Sequence, residues 1–177
     1  MVFPKFNLRK FEGSEGILRQ SLSTQLDSIC RETGFLVLEG HGISTDIIDT
    51  QWRMVSEFFA LPNAKKMEVS VPYSGYPYGW IRPNKEALAA SKGEKTPPDL
   101  KESFNGGPLN VPVGIADKRA YDFCYQPTIW PEIDGFRDAW CTYYLEMENL
   151  AKRVMSAFAE ALDLDTSFFD PFIRNPI

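Results

Sequence analysis

Histidine is nearly absent from the sequence, and this limits the metal chemistry that the chain can perform. His41 is the single histidine among 177 residues. Metal sites with two or more imidazole ligands therefore cannot be made by this chain alone. Because His41 lies between two glycines after an apolar run, we expect it to hydrogen-bond a turn rather than to bind a metal.

Cysteine is also scarce, with Cys30, Cys124 and Cys141 separated by long intervals and no C-x-x-C pair. An odd number of separated cysteines argues against a disulfide framework or a zinc ribbon, so we expect free thiols in a reducing compartment. Residues 1–10 contain no signal-like apolar run, and no segment approaches the roughly 20 apolar residues of a membrane span. We therefore expect a cytoplasmic protein with no membrane partner.

An excess of positive charge is missing as well. The chain has 19 Lys and Arg against 24 Asp and Glu, a net charge of -5. We therefore expect no nucleic-acid partner. Apolar residues, by contrast, are abundant: 44% of the residues are hydrophobic and 14% are aromatic. That composition predicts a folded chain with a sizeable core rather than disorder.

The first seventy residues predict a helix, a strand and a second helix. Apolar residues recur at spacings of three and four over 17–32, and Gly34 is expected to end that helix. The run 35–38 is continuously apolar, which is typical of a buried strand. Ser44 is a good N-cap for a second amphipathic helix, which Leu61 and Pro62 should end.

The next sixty residues, 71–130, predict a loop-rich segment because nine of the 13 prolines lie within 71–131. We expect irregular structure or an edge strand over 73–83, a short helical turn over 85–90 and a short strand over 101–105. An apolar stripe at helical spacing then predicts one long helix over 131–165. Residues 168–173 are strongly apolar, and we expect 166–177 to begin a connection to a further part of the protein.

Five short motifs occur in one order along the chain. They are G-F-L-V-L-E-G-H-G-I at 34–43, F-F-A-L-P at 58–62 followed by Lys65 and Lys66, G-Y at 75–76, D-L-K-E-S-F-N at 99–105, and W-P at 130–131. In this order and spacing they resemble the N-terminal region of the isopenicillin N synthase-like oxygenases. These are non-haem Fe(II) enzymes, most of which depend on 2-oxoglutarate.

The resemblance implies an α+β fold class for residues 1–177: a mainly helical N-terminal region with short strands. Such a region packs on a double-stranded β-helix, a jelly-roll core that follows it and that we expect to cover the long helix. The family's iron ligands, H-x-D and a distant His, and its R-x-S pair for 2-oxoglutarate have no match here. We therefore assign Fe(II) and 2-oxoglutarate to the intact enzyme, and no catalytic or metal residue to this chain, which alone should be inactive.

The function implied is oxidation of a small organic substrate by hydroxylation, desaturation or cyclisation, coupled to decarboxylation of 2-oxoglutarate. The alternative is a non-catalytic binding or interaction module that has kept this fold and docks a partner on the apolar stripe of the long helix. The reading frame after Ile177 distinguishes the two.

The resemblance also places 71–130 over the mouth of the jelly roll as a substrate lid. Aromatic and basic residues recur there at alternate positions, so in an extended chain they share one face. Such a face suits an apolar substrate with a carboxylate. The predicted substrate-binding residues are Tyr76, Tyr78, Trp80 and Arg82, joined by Phe104 and Asn105. The alternative is that the aromatics pack the loop onto the body and Arg82 pairs with an acid such as Glu102.

Overall fold

The computed structural model describes residues 2–85 and 97–174. About half of the described residues are helical, and the strands are short. In chain order the elements are β1 (Lys5–Asn7), α1 (Leu8–Glu12), α2 (Gly16–Thr33), β2 (Val37–Glu39), α3 (Thr45–Ala60), α4 (Asn63–Met67), β3 (Gly79–Ile81), β4 (Ser103–Asn105), α5 (Lys118–Cys124), α6 (Phe136–Ala161) and α7 (Asp170–Ile173).

These elements form two compact units. The first contains Met1–Asp49 and Thr142–Arg174, and the second contains Thr50–Cys141. The unit boundaries fall inside α3 and α6, so each of these helices contributes residues to both units.

The first unit is built on α2, α6 and a two-stranded parallel sheet. β1 pairs with β2 so that Phe6 lies opposite Leu38. Its buried core consists of Phe6, Leu8, Phe11, Leu22, Leu26, Ile29 and Ala157. The predicted first helix is confirmed by α2, which ends where Gly34 adopts a left-handed φ of 67° and donates its N–H to the Cys30 carbonyl.

The strand predicted over 35–38 is shifted and is not buried on both faces. β2 starts at Val37, and the side chains of Phe35 and Val37 are 68% and 42% exposed. Leu36 and Leu38 pack against the core. The predicted buried strand is thus buried on one face only, because β2 belongs to a sheet of two strands with core on one side.

The long helix is shorter than predicted. α6 begins at Phe136, five residues after Pro131, because Gly135 adopts a φ of 74° and Phe136 donates its N–H to the Ile133 carbonyl in a turn. It ends in a Schellman motif with Asp163 in the left-handed region: the Leu164 N–H reaches the Ala159 carbonyl at 2.9 Å.

Ion pairs join elements of the first unit that lie far apart in sequence. The Arg19 guanidinium on α2 contacts the Glu160 carboxylate on α6 at 2.8 Å, and the Ser23 hydroxyl donates to the same carboxylate at 3.0 Å. Arg153 donates to both carboxylate oxygens of Glu12, each at 2.7 Å.

The second unit is built around an aromatic core. Its buried residues are Met54, Phe58, Val69, Trp80, Phe104 and Phe136. Phe104 is central, because its ring lies edge to face against the rings of Phe58, Phe136 and Trp140 at centroid distances of 5.1 to 5.4 Å. β3 and β4 pair antiparallel beside this core.

The strand predicted over 101–105 is confirmed as β4, and the N-cap predicted at Ser44 is confirmed by its hydroxyl, which accepts the Asp46 N–H at 3.2 Å. α5 was not predicted; it begins at an Asp117 cap within the Pro-rich segment. The helical turn expected over 85–90 lies, after Lys85, outside the described residues. Within 2–85 and 97–174, no helix is long and apolar enough to cross a membrane.

The hydrogen bond from Arg19 lowers the pKa of Glu160 below its ordinary value of 4.5, and the Ser23 hydroxyl lowers it further. A depressed pKa stabilises the fold above pH 4.5, and this stabilisation is lost as the pH falls through the folded-state pKa. We predict that Glu160→Gln lowers the free energy of unfolding by about 1 kcal/mol at neutral pH. The difference from the unmodified chain should shrink towards zero in acid, as measured by urea unfolding at both pH values.

Glu57→Gln removes a carboxylate that is exposed and is the matched control, with no loss expected at either pH. A Glu160→Gln deficit that stays constant as the pH falls would contradict this assignment.

Candidate functional site

A large open cavity lies beside the β3–β4 pair in the second unit. Its volume is about 840 Å³, within the range of small-molecule sites. We call it the β3–β4 cavity. Its walls contain three aromatic rings, two cationic side chains and an amide: Tyr73, Tyr76, Phe123, Arg82, Lys85 and Asn105. The other described lining residues are apolar or small, and none of the described ones is acidic.

The alternation of β3 and β4 separates the core from the cavity. Trp80 lies opposite Phe104 in the register, and both side chains enter the aromatic core. Ile81 and Asn105 line the cavity on the other face. Asn105 lies opposite Gly79, which has no side chain to occupy the space above the strand.

Gly79 also permits a close backbone approach. Its φ is 147°, and a Cβ atom there would lie 2.8 Å from the Val69 carbonyl oxygen. The same carbonyl accepts the Trp80 N–H at 2.8 Å, and the Val71 N–H reaches the Trp80 carbonyl at 3.1 Å. Residues 69–71 therefore run against β3 and lead the chain into the cavity wall.

Two tyrosine hydroxyls tie this wall to the main chain of residues 124–127. Tyr76 donates to the Pro127 carbonyl at 2.5 Å, and Tyr78 donates to the Cys124 carbonyl. Burial raises the pKa of Tyr76, and the neighbouring Tyr73 raises it further. The shift disfavours ionisation of the Tyr76 hydroxyl, which agrees with its role as a donor. The Tyr73 and Tyr76 rings meet edge to face at 5.4 Å.

A buried ion pair fixes β4 beneath the cavity. The Lys66 residue is 4% exposed, and its ammonium group lies 2.9 Å from the Glu102 carboxylate. The ammonium lies 2.9 Å from both carboxylate oxygens, and one of them, Oε2, also accepts the Trp80 indole N–H at 2.7 Å. We call these three side chains the Lys66 network. Sequence reasoning missed it, although Lys66 and Glu102 both belong to the quoted motifs.

The structure brings together three of the six predicted substrate-binding residues. Tyr76, Arg82 and Asn105 line the β3–β4 cavity. Trp80 is 2% exposed, and it lies in the core with Phe104. The expectation that the residues of 76–82 share one face was wrong, because only Gly79–Ile81 is extended as a strand and its pleat turns Trp80 inwards.

The alternative interpretation of Arg82 is also corrected, since Glu102 pairs with Lys66 instead. Sequence reasoning missed Tyr73, Lys85 and Phe123 as lining residues. Lys85 follows Arg82 by three residues in a Pro-Asn turn, and that spacing was the available signal.

The residues that the structure describes do not fit an Fe(II) site. Across the described parts of the chain, no group of three or more His, Cys, Asp or Glu side chains is close enough to hold a metal. The His41 Nδ1 accepts the Ile43 N–H at 3.1 Å, and the His41 carbonyl accepts a 2.7 Å hydrogen bond from Arg153. The expectation that His41 hydrogen-bonds its turn is therefore confirmed.

Comparison with known sequences agrees with these features. Residues 3–133 match the family described as the non-haem dioxygenase in morphine synthesis N-terminal domain. The chain is 32% identical over 169 residues to azadirone synthase LFS of Melia azedarach, and the match covers 93% of this chain and 48% of that protein. It is 28% identical over 177 residues to the 2-oxoglutarate-Fe(II) type oxidoreductase hxnY of Emericella nidulans, covering 98% and 50%.

Solved structures share the fold. A full-length protein from Neurospora crassa, crystallised in complex with alpha-KG, superposes with a TM-score of 0.75 at 26% identity, covering 97% of this chain and 50% of that one. A putative 2OG-Fe(II) oxygenase family protein from Caulobacter crescentus has the same fold at a TM-score of 0.75 and 23% identity.

The chain belongs to the family of non-haem dioxygenase N-terminal domains, since the match covers most of its length. It spans about half the length of the curated relatives it matches. The resemblance that the five motifs carried is confirmed.

The Lys66 network generates a stability prediction. Glu102→Gln leaves the buried Lys66 ammonium without a counter-charge, and we expect the free energy of unfolding to fall by about 2–4 kcal/mol. Replacing both residues, Lys66→Met with Glu102→Gln, removes the unpaired charge and should recover at least half of that loss. Chemical denaturation measures both, with Glu57→Gln as the control. A double variant no more stable than Glu102→Gln would show that charge pairing is not the main contribution.

Proposed function

We propose that this chain is the N-terminal region of an Fe(II)- and 2-oxoglutarate-dependent oxygenase. In the intact protein, decarboxylation of 2-oxoglutarate would be coupled to oxidation of a small organic substrate by hydroxylation, desaturation or cyclisation. The observation that carries the proposal is the family match over 3–133. Relatives named as 2-oxoglutarate-Fe(II) oxidoreductases and 2-oxoglutarate-dependent dioxygenases support it.

In this proposal the iron and the 2-oxoglutarate bind to a jelly-roll core that adjoins this region, because the only histidine of the chain serves a turn. We propose that this core packs on α6. Apolar side chains of the first unit that remain exposed support such a contact: Leu145, Leu162, Phe168 and Phe172. A cytoplasmic location is supported by three cysteines that are all free.

The part of this chain in the reaction would be to bind and orient the substrate. Of the residues predicted for this role, Tyr76, Arg82 and Asn105 are those whose side chains reach the β3–β4 cavity. The other three would support the cavity wall without contacting the substrate. Tyr78 does so through its hydrogen bond to the Cys124 carbonyl, and Trp80 and Phe104 through packing in the aromatic core.

The proposal is tested on the full-length protein, prepared with its catalytic core. We expect Fe(II)-dependent conversion of 2-oxoglutarate to succinate, together with a visible charge-transfer band on anaerobic addition of Fe(II) and 2-oxoglutarate. The 177-residue chain given the same additions should show neither. An Fe(II)-loaded full-length protein that leaves 2-oxoglutarate unchanged across a substrate screen would refute the proposed function.

Arg82→Lys separates substrate binding from 2-oxoglutarate chemistry. The lysine keeps the positive charge but loses the planar fork of donors that suits a carboxylate. We predict that KM for the organic substrate rises roughly tenfold, while turnover of 2-oxoglutarate without that substrate is unchanged. Arg53→Lys, at an exposed arginine outside the cavity lining, is the control. An unchanged KM in Arg82→Lys would remove this side chain from the substrate site.

A further inference from the structure

We propose that the β3–β4 cavity binds a small ring-containing organic acid, with its carboxylate at Arg82 and Lys85 and its ring against Tyr73 and Tyr76. This inference rests on the proposed function in one respect, since it takes the acid to be the substrate of the oxygenase. The binding itself depends on the cavity alone.

The charge of the cavity differs from that of the chain as a whole. Acidic residues exceed basic ones by five in the sequence. The described lining of the cavity nevertheless contains two cations and no acid. Such a lining favours anionic ligands, because it contains two positive charges and no described carboxylate that would repel an anion.

Within the described ranges, the two cations also lack acidic partners. Neither Arg82 nor Lys85 forms an ion pair or a hydrogen bond with any described residue, whereas Arg19, Lys66 and Arg153 each contact a carboxylate. The donors of Arg82 and Lys85 thus remain available to a ligand. A guanidinium offers a planar fork that meets both oxygens of a carboxylate.

The turn that carries both cations is fixed by its backbone. Pro83 has a locked φ and restricts Arg82 before it to extended conformations. Asn84 follows in the left-handed region, with a φ of 66°, and donates its N–H to the Asp99 carbonyl at 3.0 Å. The main chain beneath the two cations is thereby held in place before a ligand arrives, which lowers the entropic cost of binding.

The aromatic side of the cavity supplies a surface for a ring. Tyr73 and Phe123 are 57% and 68% exposed although both line the cavity. Tyr76 is held by its hydrogen bond to Pro127 and contacts the Tyr73 ring edge to face. Solvent-exposed aromatic rings in a cavity wall favour binding of a planar apolar group such as a second ring. Asn105 adds an amide that can bind a further polar group of the ligand.

The test measures binding without turnover in the full-length protein. The probes are benzoate, phenylacetate, 3-phenylpropanoate and indole-3-acetate at up to about 5 mM, where a millimolar Kd is detectable. Phenylacetamide is the uncharged match for phenylacetate. Ligand-observed NMR with 2-oxoglutarate present at saturation keeps the core's own carboxylate site filled.

We expect at least one of the acids to bind and phenylacetamide to bind at least about fivefold more weakly than phenylacetate. Arg82→Gln and Lys85→Gln should each weaken the acid about fivefold, the scale of one partly exposed charge pair. Tyr73→Ala should weaken acid and amide alike, because it removes ring contact and no charge. Arg53→Gln is the control and should change nothing.

No binding of any acid, or equal binding of phenylacetate and phenylacetamide, would overturn the inference, as would binding that survives both cation variants. The outcome is separable from that of the proposed function. If the protein binds the acid but does not consume 2-oxoglutarate, the oxygenase function is refuted and the acid-binding site is retained. If it consumes 2-oxoglutarate but binds no acid, the acid-binding site is refuted and the oxygenase function is retained.

Discussion

The buried Lys66 ammonium needs a counter-charge, and three elements of the second unit are arranged around the ion pair that supplies it. Glu102 supplies the counter-charge at 2.9 Å through both carboxylate oxygens, and its Oε2 also accepts the Trp80 indole N–H. Burying a lone ammonium costs several kcal/mol, so any arrangement that separates Lys66 from Glu102 is strongly disfavoured. Because Glu102 directly precedes β4 and Trp80 lies in β3, this one interaction joins α4 to both strands and sets how they meet.

The position of the strands then decides which side chains are available to a ligand. With Trp80 opposite Phe104 in the core, the pleat turns Ile81 and Asn105 to the other face. A slip by one residue would exchange the two sets and place an amide in an aromatic core. The Lys66–Glu102–Trp80 contact on the core side of the strands therefore determines which side chains line the cavity on the other side.

Sequence patterns predicted the elements whose signals are local. Gly34 ends α2 and Ser44 caps α3 because a left-handed turn and a hydroxyl cap act within a few residues. The pairing of β1 with β2, which join residues more than thirty positions apart, has no such local signal. For the candidate site, alternation indicated Tyr76, Arg82 and Asn105 but misplaced Trp80, because the length of β3 depends on contacts with Val69 and Phe104 that the segment itself does not encode.

The residues that carried the family resemblance are largely those that hold the scaffold. Lys66, Glu102 and Phe104 belong to the quoted motifs, and they form the buried ion pair and the aromatic core. In the cavity lining, Tyr76 and Asn105 also belong to the motifs, whereas both cations, Arg82 and Lys85, lie outside them. Membership of the family could therefore be recognised without any knowledge of the ligand. The proposed chemistry of the ligand rests instead on the turn after β3, whose main chain is fixed by the Asn84–Asp99 hydrogen bond and whose two cations have no acidic partner among the described residues.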